Sequence, residues 1–341
     1  MKGRVTREDG AGEALGVPYA GLTPERVLDA VEGAGYRCDG RLLALNSYEN
    51  RVYQVGLEDG EPLVAKFYRP GRWSDEAIRE EHAFSEELAE EEIPAVPPLG
   101  DRTGETLHAF EGFRFALYPR RPGRSPELED AETLRRLGRF LGRLHAVGAR
   151  RLFRERSSLD PETFGEESLR FLLGSRFLPP YLADSYRSVA GAVLVGVGRC
   201  YERAGSVKRL RLHGDCHAGN VLWTREGPHF VDFDDSRNGP AVQDLWMLLS
   251  GDGPALAEQL GWVLEGYGVF RDFDPRELHL IEALRALRMM HHSAWLARRW
   301  DDPAFPAAFP WFGEPRYWEG QILALREQAA LLDEPPVRVD P

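Results

Sequence analysis

The pattern of hydrophobic and polar positions changes along the chain, from alternation in the first third to a helical period in most of the rest. The runs 51–57 and 63–68 alternate and flank Asp59-Gly60, a dipeptide typical of tight turns, so they predict a β-hairpin. Residues 106–110 and 113–118 predict a second hairpin about another glycine-containing turn. This part of the chain is therefore predicted to be rich in β-structure.

Two helices are predicted beside these strands, because each follows a residue that caps a helix N-terminus. Residues 23–34 begin with Thr23 as the N-cap, followed by Pro24 at the first helical position. Ser74 caps a second helix that runs to about Glu91. The apolar face of this second helix is formed by Ala77, Phe84 and Leu88.

A break rich in Pro, Gly and Arg over residues 119–126 separates the β-rich part from a mostly helical remainder. Beyond it, residues 134–144 predict an amphipathic helix that ends at Gly148, whereas residues 151–185 are expected to be irregular. We therefore predict an α+β, two-lobed fold with a β-rich N-terminal lobe and a mainly helical C-terminal lobe. Its parts are a mobile leader over 1–22, an N-terminal lobe over 23–118, a hinge over 119–122 and a C-terminal lobe over 123–341.

Composition narrows the class of protein. The 341 residues suffice for two lobes, and 43% hydrophobic residues are ordinary for a chain with a real core. A net charge of −12 argues against binding to nucleic acid or to an anionic membrane, since either needs a basic surface. The three cysteines are scattered, and the sequence contains neither an apolar signal segment nor an apolar run long enough to span a membrane. We therefore expect a cytoplasmic protein, and a monomer is the simplest expectation for its oligomeric state.

The stretch 212–249 contains the candidate chemistry. Asp215 opens the pattern D-x-x-x-x-N, which ends at Asn220 and has the spacing of the protein-kinase catalytic loop. In that loop the Asp accepts the proton of the attacking hydroxyl, and the Asn holds a magnesium ion. Asp232, after a short apolar run, is the candidate for the carboxylate on the other side of the metal. Asp215 and Asp232 are thus the predicted catalytic carboxylates, and Asn220 and Asp232 the predicted Mg²⁺ ligands.

Two other interpretations of this stretch compete with catalysis. His213, Cys216 and His217 are potential zinc ligands, but structural zinc needs four ligands, usually in two spaced pairs, and no second pair is present. Alternatively, the stretch is a set of turns without chemistry, since His, Gly, Asp and Asn are common in turns. Two carboxylates and an Asn at kinase spacing favour catalysis over both.

A candidate ATP-phosphate lysine precedes the second helix. Lys66 ends Val64-Ala65-Lys66, close to the strand motif that holds this lysine in kinases, although a lone strand lysine is more often solvated. Glu81 lies on the apolar face of the helix capped by Ser74, and a carboxylate there needs a partner. Helix phase favours Glu81 over Glu80 as the partner of Lys66.

The segment Asn46–Asn50 occupies the position of a phosphate-binding loop but contains no glycine. Its backbone amides and the Ser47 hydroxyl can meet phosphate oxygens. From spacing alone, a phosphate contact and an ordinary turn are equally favoured.

Four segments resemble a known family: LNSYENRVYQV at 45–55, KFYRP at 66–70, LHGDCHAGN at 212–220 and NGPAVQDLWMLL at 238–249. They are similar to the kinase superfamily of aminoglycoside phosphotransferases and choline kinases, and more closely to a bacterial branch of Ser/Thr protein kinases that acts in stress responses. The resemblance runs from about residue 22 to the C-terminus. It implies a protein-kinase-like fold, ATP and Mg²⁺ as cofactors, and protein substrates.

The resemblance also implies roles for single residues. Ser47 would contact ATP, Lys66 braced by Glu81 would hold its phosphates, and Asp244 would brace the catalytic loop. Two alternatives stay open: a small-molecule kinase of the same fold, acting on an aminoglycoside, choline or homoserine-like alcohol, and a pseudokinase that binds nucleotide only. The full set of Lys66, Asp215, Asn220 and Asp232 counts against the pseudokinase.

Overall fold

The computed structural model describes residues 17–251 and 253–339. Most of the leader predicted over 1–22 therefore lies outside the described residues. Residues 17–22 form a turn in which Tyr19 is buried, and its single hydroxyl proton is shared between the carbonyl oxygens of Glu49 at 3.0 Å and Phe67 at 3.2 Å.

A five-stranded antiparallel sheet forms the N-terminal part, with strand order β1-β2-β3-β5-β4. Its strands are β1 (Cys38–Ala44), β2 (Arg51–Leu57), β3 (Leu63–Phe67), β4 (His108–Phe110) and β5 (Phe113–Pro119). Both predicted hairpins are present, as β2–β3 and β4–β5. Each forms because alternating apolar residues meet a turn containing a glycine with positive φ, Gly60 and Gly112.

The two helices predicted in this part are confirmed together with their caps. Helix α1 (Pro24–Gly33) has Thr23 as its N-cap, and α2 (Asp75–Glu90) begins where the Ser74 hydroxyl accepts the amide of Ala77. Glu81 is on the buried face of α2.

The remainder is mostly helical, which confirms the α+β arrangement predicted from the sequence. Its helices are α3 (Ala131–Gly148), α4 (Glu167–Leu173), α5 (Ala183–Ala204), α6 (Val242–Trp246), α7 (Gly253–Tyr267), α8 (Ile281–Arg299), α9 (Ala304–Ala308) and α10 (Pro315–Leu331). The largest apolar core lies between α4, α5, α8 and α10.

The expectation of irregular structure over 151–185 was only partly right. A π-helical turn, Pro161–Glu166, runs directly into α4. Asp160 caps this turn by accepting the amide of Thr163, and Gly165 lies where a side chain would collide with Leu194. Because glycine and proline interrupt the period here, the sequence pattern concealed a helix that packing stabilises.

Four short strands hold the loops that carry the candidate chemistry. Strand β6 (Leu210–Leu212) pairs with β9 (Arg237–Gly239), and β7 (Val221–Trp223) pairs with β8 (Pro228–Phe230). The loop after β6 and the loop after β8 are thereby brought together at one edge, facing the N-terminal sheet.

Helices α3 and α7 approach each other unusually closely, at glycines. A methyl group at Gly138 would lie 2.1 Å from the carbonyl oxygen of Val263, and one at Gly266 would lie 1.9 Å from that of Arg135. Only glycine fits at these two positions without moving a backbone.

None of the helices in the described residues is both long enough and apolar enough to cross a membrane.

Candidate active site

The three residues predicted from the D-x-x-x-x-N pattern and the following carboxylate lie together. Asp215 is in the loop after β6, Asn220 ends a short 3-10 turn before β7, and Asp232 follows β8 by two residues. The side-chain amide of Asn220 donates to the backbone carbonyl oxygen of Asp215 at 3.0 Å. The backbone amide of Val231 donates to the backbone carbonyl oxygen of Asn220 at 3.1 Å. The two loops are therefore linked directly.

Asp244 braces the loop that carries Asp215, which is the role that the family resemblance implies for it. Its fully buried carboxylate accepts the backbone amides of His213 and Gly214, each at 2.8 Å, and contacts the ring of His145 at 3.1 Å. Gly214 has a positive φ, and a side chain there would collide with the carbonyl oxygen of Asp235. These contacts fix the backbone from which Asp215 projects.

His213, weighed from the sequence as a zinc ligand, is used differently. Its ring nitrogen Nε2 donates to the carbonyl oxygen of Val231 at 2.9 Å, and its ring packs on Phe233. Within the described part of the chain, no three His, Cys, Asp or Glu residues are grouped so that they could hold a metal ion.

Lys66 is buried and contacts three carboxylates. Its Nζ lies 3.0 Å from Asp232, 3.5 Å from Glu81 and 3.5 Å from Asp234. Burial alone would lower the pKa of Lys66, but the three carboxylates raise it well above its ordinary value, so the amine stays charged. The predicted contact between Lys66 and Glu81 is present. Glu80 instead accepts the backbone amides of Arg154 and Glu155 at the surface.

Asp232 adopts a left-handed backbone conformation with φ of 61°. This conformation is uncommon for a residue other than glycine, and it is found at functional sites. It directs a half-exposed carboxylate toward Lys66 and into the cleft.

Asp234 is a buried charge whose importance the sequence left ambiguous. Its carboxylate pairs with Arg72 and accepts the side-chain amide of Asn50 at 3.0 Å. Although burial opposes ionisation, Arg72 and Lys66 lower the pKa of Asp234. Arg156, also buried, donates to the carbonyl oxygen of Asp234 and lies 3.6 Å from Glu81. The lysine and its carboxylates are therefore enclosed by arginines that no short motif predicted.

Asp215 has two cationic or polar neighbours besides Asn220. Arg288 of α8 donates to its Oδ1 at 2.8 Å, and His217 lies 3.4 Å from its Oδ2. Burial would raise the pKa of Asp215, but the hydrogen bond from His217 and the charge of Arg288 hold it below its ordinary value. Arg288 was not found from the sequence, because nothing in α8 marks it as a partner of a residue 73 positions away.

The loop 46–50 is held by its side chains rather than shaped by glycine. Asn50 Oδ1 accepts the backbone amide of Arg69 at 3.1 Å. Glu49 accepts Arg69 at 3.1 Å and Arg299 at 3.1 Å, and it is also hydrogen-bonded by Trp295 of α8. The loop is thereby tied both to the sheet and to the helical part.

Two connected clefts open from these residues. The inner cleft, of about 450 Å³, lies between the sheet and the loops, and its apolar walls include Val52, Val64 and Leu222. The outer cleft, of about 800 Å³, lies between Asp215 and α8. Asn46, Ser47, Gly219, Asn220 and Asp232 line both clefts, so the predicted ATP contact Ser47 and the predicted metal ligands stand where the two clefts join.

The donor chemistry at this junction suits Mg²⁺. Because the Asn220 amide nitrogen donates to Asp215, its oxygen is the group left to face a cation, and Asp232 adds a half-exposed carboxylate. Magnesium takes few protein oxygens and completes its shell with phosphate oxygens and water. Two protein ligands beside a phosphate-sized space therefore fit this ion.

Comparison with known proteins agrees with the geometry. Residues 41–281 match the model of the phosphotransferase enzyme family. The chain is 44% identical over 320 residues to stress response kinase A of Salmonella choleraesuis (strain SC-B67), and this covers 94% of the chain and 96% of that relative. It shows the same identity and coverage with the serine/threonine protein kinase RdoA of Salmonella typhimurium (strain LT2).

Among solved structures, the chain resembles an amicoumacin kinase in complex with AMP-PNP, Ca²⁺ and Ami, with a TM-score of 0.71 over 93% of this chain and 95% of that one. At 19% identity, this similarity concerns the fold.

Proposed function

Because the chain belongs to the phosphotransferase enzyme family, as a homologue of stress response kinase A, we propose that it transfers the γ-phosphoryl group of ATP to Ser and Thr hydroxyls of proteins. One observation carries the proposal: Lys66, Asn220, Asp232 and Asp215 follow one another along a continuous path from the inner to the outer cleft. ATP would occupy the inner cleft and the acceptor the outer one. The relatives' names support a role in a stress response.

Residues of the inner cleft would bind the nucleotide. Lys66, held by Glu81, would contact the phosphates as a point charge, and Ser47 would add a hydroxyl where the clefts join. We divide the molecule accordingly into a nucleotide-binding lobe over 23–118, a hinge over 119–122 and a catalytic lobe over 123–341. Arg124, just beyond the proposed hinge, exchanges backbone hydrogen bonds with Trp223, which supports an attachment of the hinge to the catalytic lobe.

Asp215 would orient the acceptor hydroxyl and accept its proton. A carboxylate with a lowered pKa is a weak base, so the proton would move late, as bond formation to phosphorus advances. Asn220 and Asp232 would hold Mg²⁺, which when bound neutralises charge on the phosphates. The chain's own contribution is positioning, since phosphoryl transfer leaves little covalent work for the protein.

The test is transfer of labelled phosphate from ATP, with Mg²⁺, to purified protein acceptors, run beside aminoglycosides, choline and amino alcohols. We expect phosphoserine or phosphothreonine, loss of transfer with a chelator, and a fall in turnover of about 10²–10⁴ for Asp215→Ala, with ATP binding retained. Efficient transfer to one small alcohol, with no phosphoprotein, would overturn the protein-kinase proposal and leave the roles of the site residues standing.

We further propose that the protein acts in the cytoplasm as a monomer. All three cysteines, Cys38, Cys200 and Cys216, are free, which suits a reducing compartment. Size-exclusion chromatography with light scattering would test the oligomeric state.

A further inference from the structure

The outer cleft has a basic wall on the side of α8. Arg285, Arg288 and His292 occur at positions i, i+3 and i+7 of this helix, so they lie along one face, and all three line the cleft. Arg237 from β9 contributes a third guanidinium to the floor. Burial lowers the pKa of His292, so the charge of the wall at neutral pH comes from the arginines.

Four carboxylates line the same cleft, and each has a cationic partner; that of Asp215 is Arg288 itself. Glu49 contacts Arg69 and Arg299, Asp232 contacts Lys66, and Asp235 contacts Arg72 at 2.6 Å. These four cations lie outside the lining of the outer cleft. They offset the charges of Glu49, Asp232 and Asp235 from outside the cleft, and Asp235 also lies 3.6 Å from the nearly buried Arg237. The lining cations that a molecule in the cleft can reach are therefore Arg285 and Arg288.

Arg288 is the arginine nearest to the proposed chemistry. Its side chain is 43% exposed, and within residues 17–251 and 253–339 its ionic partner is Asp215. It therefore occupies Oδ1, one of the two Asp215 oxygens available to an acceptor hydroxyl. A guanidinium has five donors in a planar fork and binds carboxylate or phosphate in a bidentate manner, so a single carboxylate oxygen leaves most of its donors free.

Arg285, one helical turn before Arg288, also has a fixed and partly exposed side chain. Its guanidinium lies 5.5 Å from the centre of the Trp246 ring and 3.2 Å from Glu282, and the side chain remains partly exposed to the cleft. The ring and Glu282 fix its direction, and because both members of this ion pair are partly exposed, solvent weakens their attraction and leaves donors of the guanidinium for a second anion.

We propose that Arg288, assisted by Arg285, binds an anionic group of the acceptor, a carboxylate or phosphoryl group beside the reacting hydroxyl, and moves off Asp215 as it does so. The enzyme would therefore select Ser or Thr residues next to Asp, Glu or an already phosphorylated residue. This inference rests on the proposed function and adds its substrate class. A cationic acceptor would instead meet Arg285 and Arg288 beside the reacting hydroxyl, so this side of the cleft disfavours it.

The test compares peptides that share one Ser or Thr core and differ only in a flanking residue: Asp, Glu, phosphoserine, Ala or Lys. We expect kcat/KM for the anionic peptides to exceed that for the Ala peptide by about ten- to a hundredfold, the range of a charge-assisted hydrogen bond. Ranking Asp and Glu against phosphoserine distinguishes the two sources of the anion. Wild-type enzyme that treats all five peptides alike would overturn the inference.

Variants assign the preference to the arginines. Arg288→Gln and Arg285→Gln should each reduce it, and Arg285→Glu should shift it toward the Lys peptide. The control is Arg187→Gln and Arg187→Glu on α5, because Arg187 also pairs with an acidic residue three positions away but is remote from the cleft. An unchanged preference in Arg288→Gln and Arg285→Gln, with thermal unfolding confirming that both fold, would overturn the assignment.

Failure of the proposed function gives a different result. Phosphorylated peptides without any charge preference contradict only this inference. If no peptide is phosphorylated, the protein-kinase proposal fails, and small alcohols bearing a carboxylate or an ammonium group decide the inference by the same comparison of variants.

Discussion

At the scale of single residues, Lys66 shows how a charge is kept inside the protein. It exchanges water for three carboxylates, and Asp234, one of these, is in turn balanced by Arg72. Removing one member of such a group leaves the others buried without compensation, which costs more than the intact contact contributes.

We therefore predict two effects for Lys66→Ala. ATP binding should weaken by about tenfold or more, because a charge-assisted contact is lost. The free energy of unfolding should also fall, by up to about 3–5 kcal/mol, because Glu81 and Asp234 lose a buried partner. Calorimetric titration with ATP and denaturant unfolding measure the two effects.

The matched control is Lys208→Ala, which removes an exposed lysine remote from both clefts. It should leave both quantities unchanged. Normal ATP binding by a folded Lys66→Ala protein would contradict the proposed phosphate contact.

Glu277 provides a second residue-scale prediction, concerning pH. It is buried before α8, where it accepts the amide of Val242 at 2.9 Å, and burial raises its pKa from 4.5 to about 7. Between these values the folded protein holds a proton that the unfolded chain has lost. The contribution of this group to stability is therefore complete below about pH 4.5 and is lost as pH rises through 7, by roughly 3 kcal/mol in total.

Glu277→Gln should remove this pH dependence and make the protein more stable than wild type at pH 8. Thermal or denaturant unfolding across pH 5–8 measures it, with Glu319→Gln on the exposed side of α10 as the control. Parallel pH profiles for wild type and Glu277→Gln would show that Glu277 does not titrate in this window.

At the scale of elements, the close approach of α3 and α7 depends on glycine. Gly266→Ala should lower the free energy of unfolding by about 1–3 kcal/mol or more, because the added methyl group meets the backbone of α3. Gly191→Ala on α5 is the control, since a methyl group there meets no atom within 4 Å. That control should be neutral or stabilising by up to about 1 kcal/mol. Equal effects of the two substitutions would contradict the packing argument.

The elements also show what sequence patterns can predict. The hairpin β2–β3 and the helix α2 followed from local signals, namely alternation about a turn and a capping Ser74. The helix α4 did not, because its stability comes from packing against α5 and α8 rather than from its own period.

The same limit applies to the site. Asp215, Asn220 and Asp232 were identifiable because their spacing is itself the motif. Arg72 and Arg156 contact Asp234 from 162 and 78 positions away, and one arginine among 43 basic residues carries no mark of such a contact in the sequence. Tertiary partners of a charge are set by the fold, which local patterns do not specify.

At the scale of the whole molecule, ion pairs join the sheet to the helical part beside loop 46–50. Asp302, buried after α8, accepts Arg51 of β2 at 2.7 Å and Arg69 after β3 at 2.6 Å. Arg69 in turn donates to the carbonyl oxygen of Glu49 at 3.0 Å. Asp302 therefore holds two arginines, one of which contacts the loop proposed to meet ATP.

Asp302→Ala should consequently loosen this loop and lower the free energy of unfolding by about 3–5 kcal/mol, since two arginines lose a buried partner. Hydrogen exchange should increase in peptides covering residues 46–50, and ATP binding should weaken. Asp301→Ala is the control, because that neighbouring side chain is 86% exposed and pairs only at the surface. Unaltered exchange at 46–50 in folded Asp302→Ala protein would separate the loop from this ion pair.

The absence of glycine from loop 46–50 has a consequence for inhibitor chemistry. A glycine-rich loop can change its backbone conformation to contact the bound compound, so a kinase with such a loop accommodates compounds of many shapes. Here Asn50 and Glu49 anchor the loop through their side chains, and its contour is set before any compound arrives. An ATP-competitive compound whose affinity depends on movement of this loop should therefore bind this protein poorly. A rigid compound that matches the shape of the loop as it stands should bind this protein more tightly than it binds kinases with a glycine-rich loop.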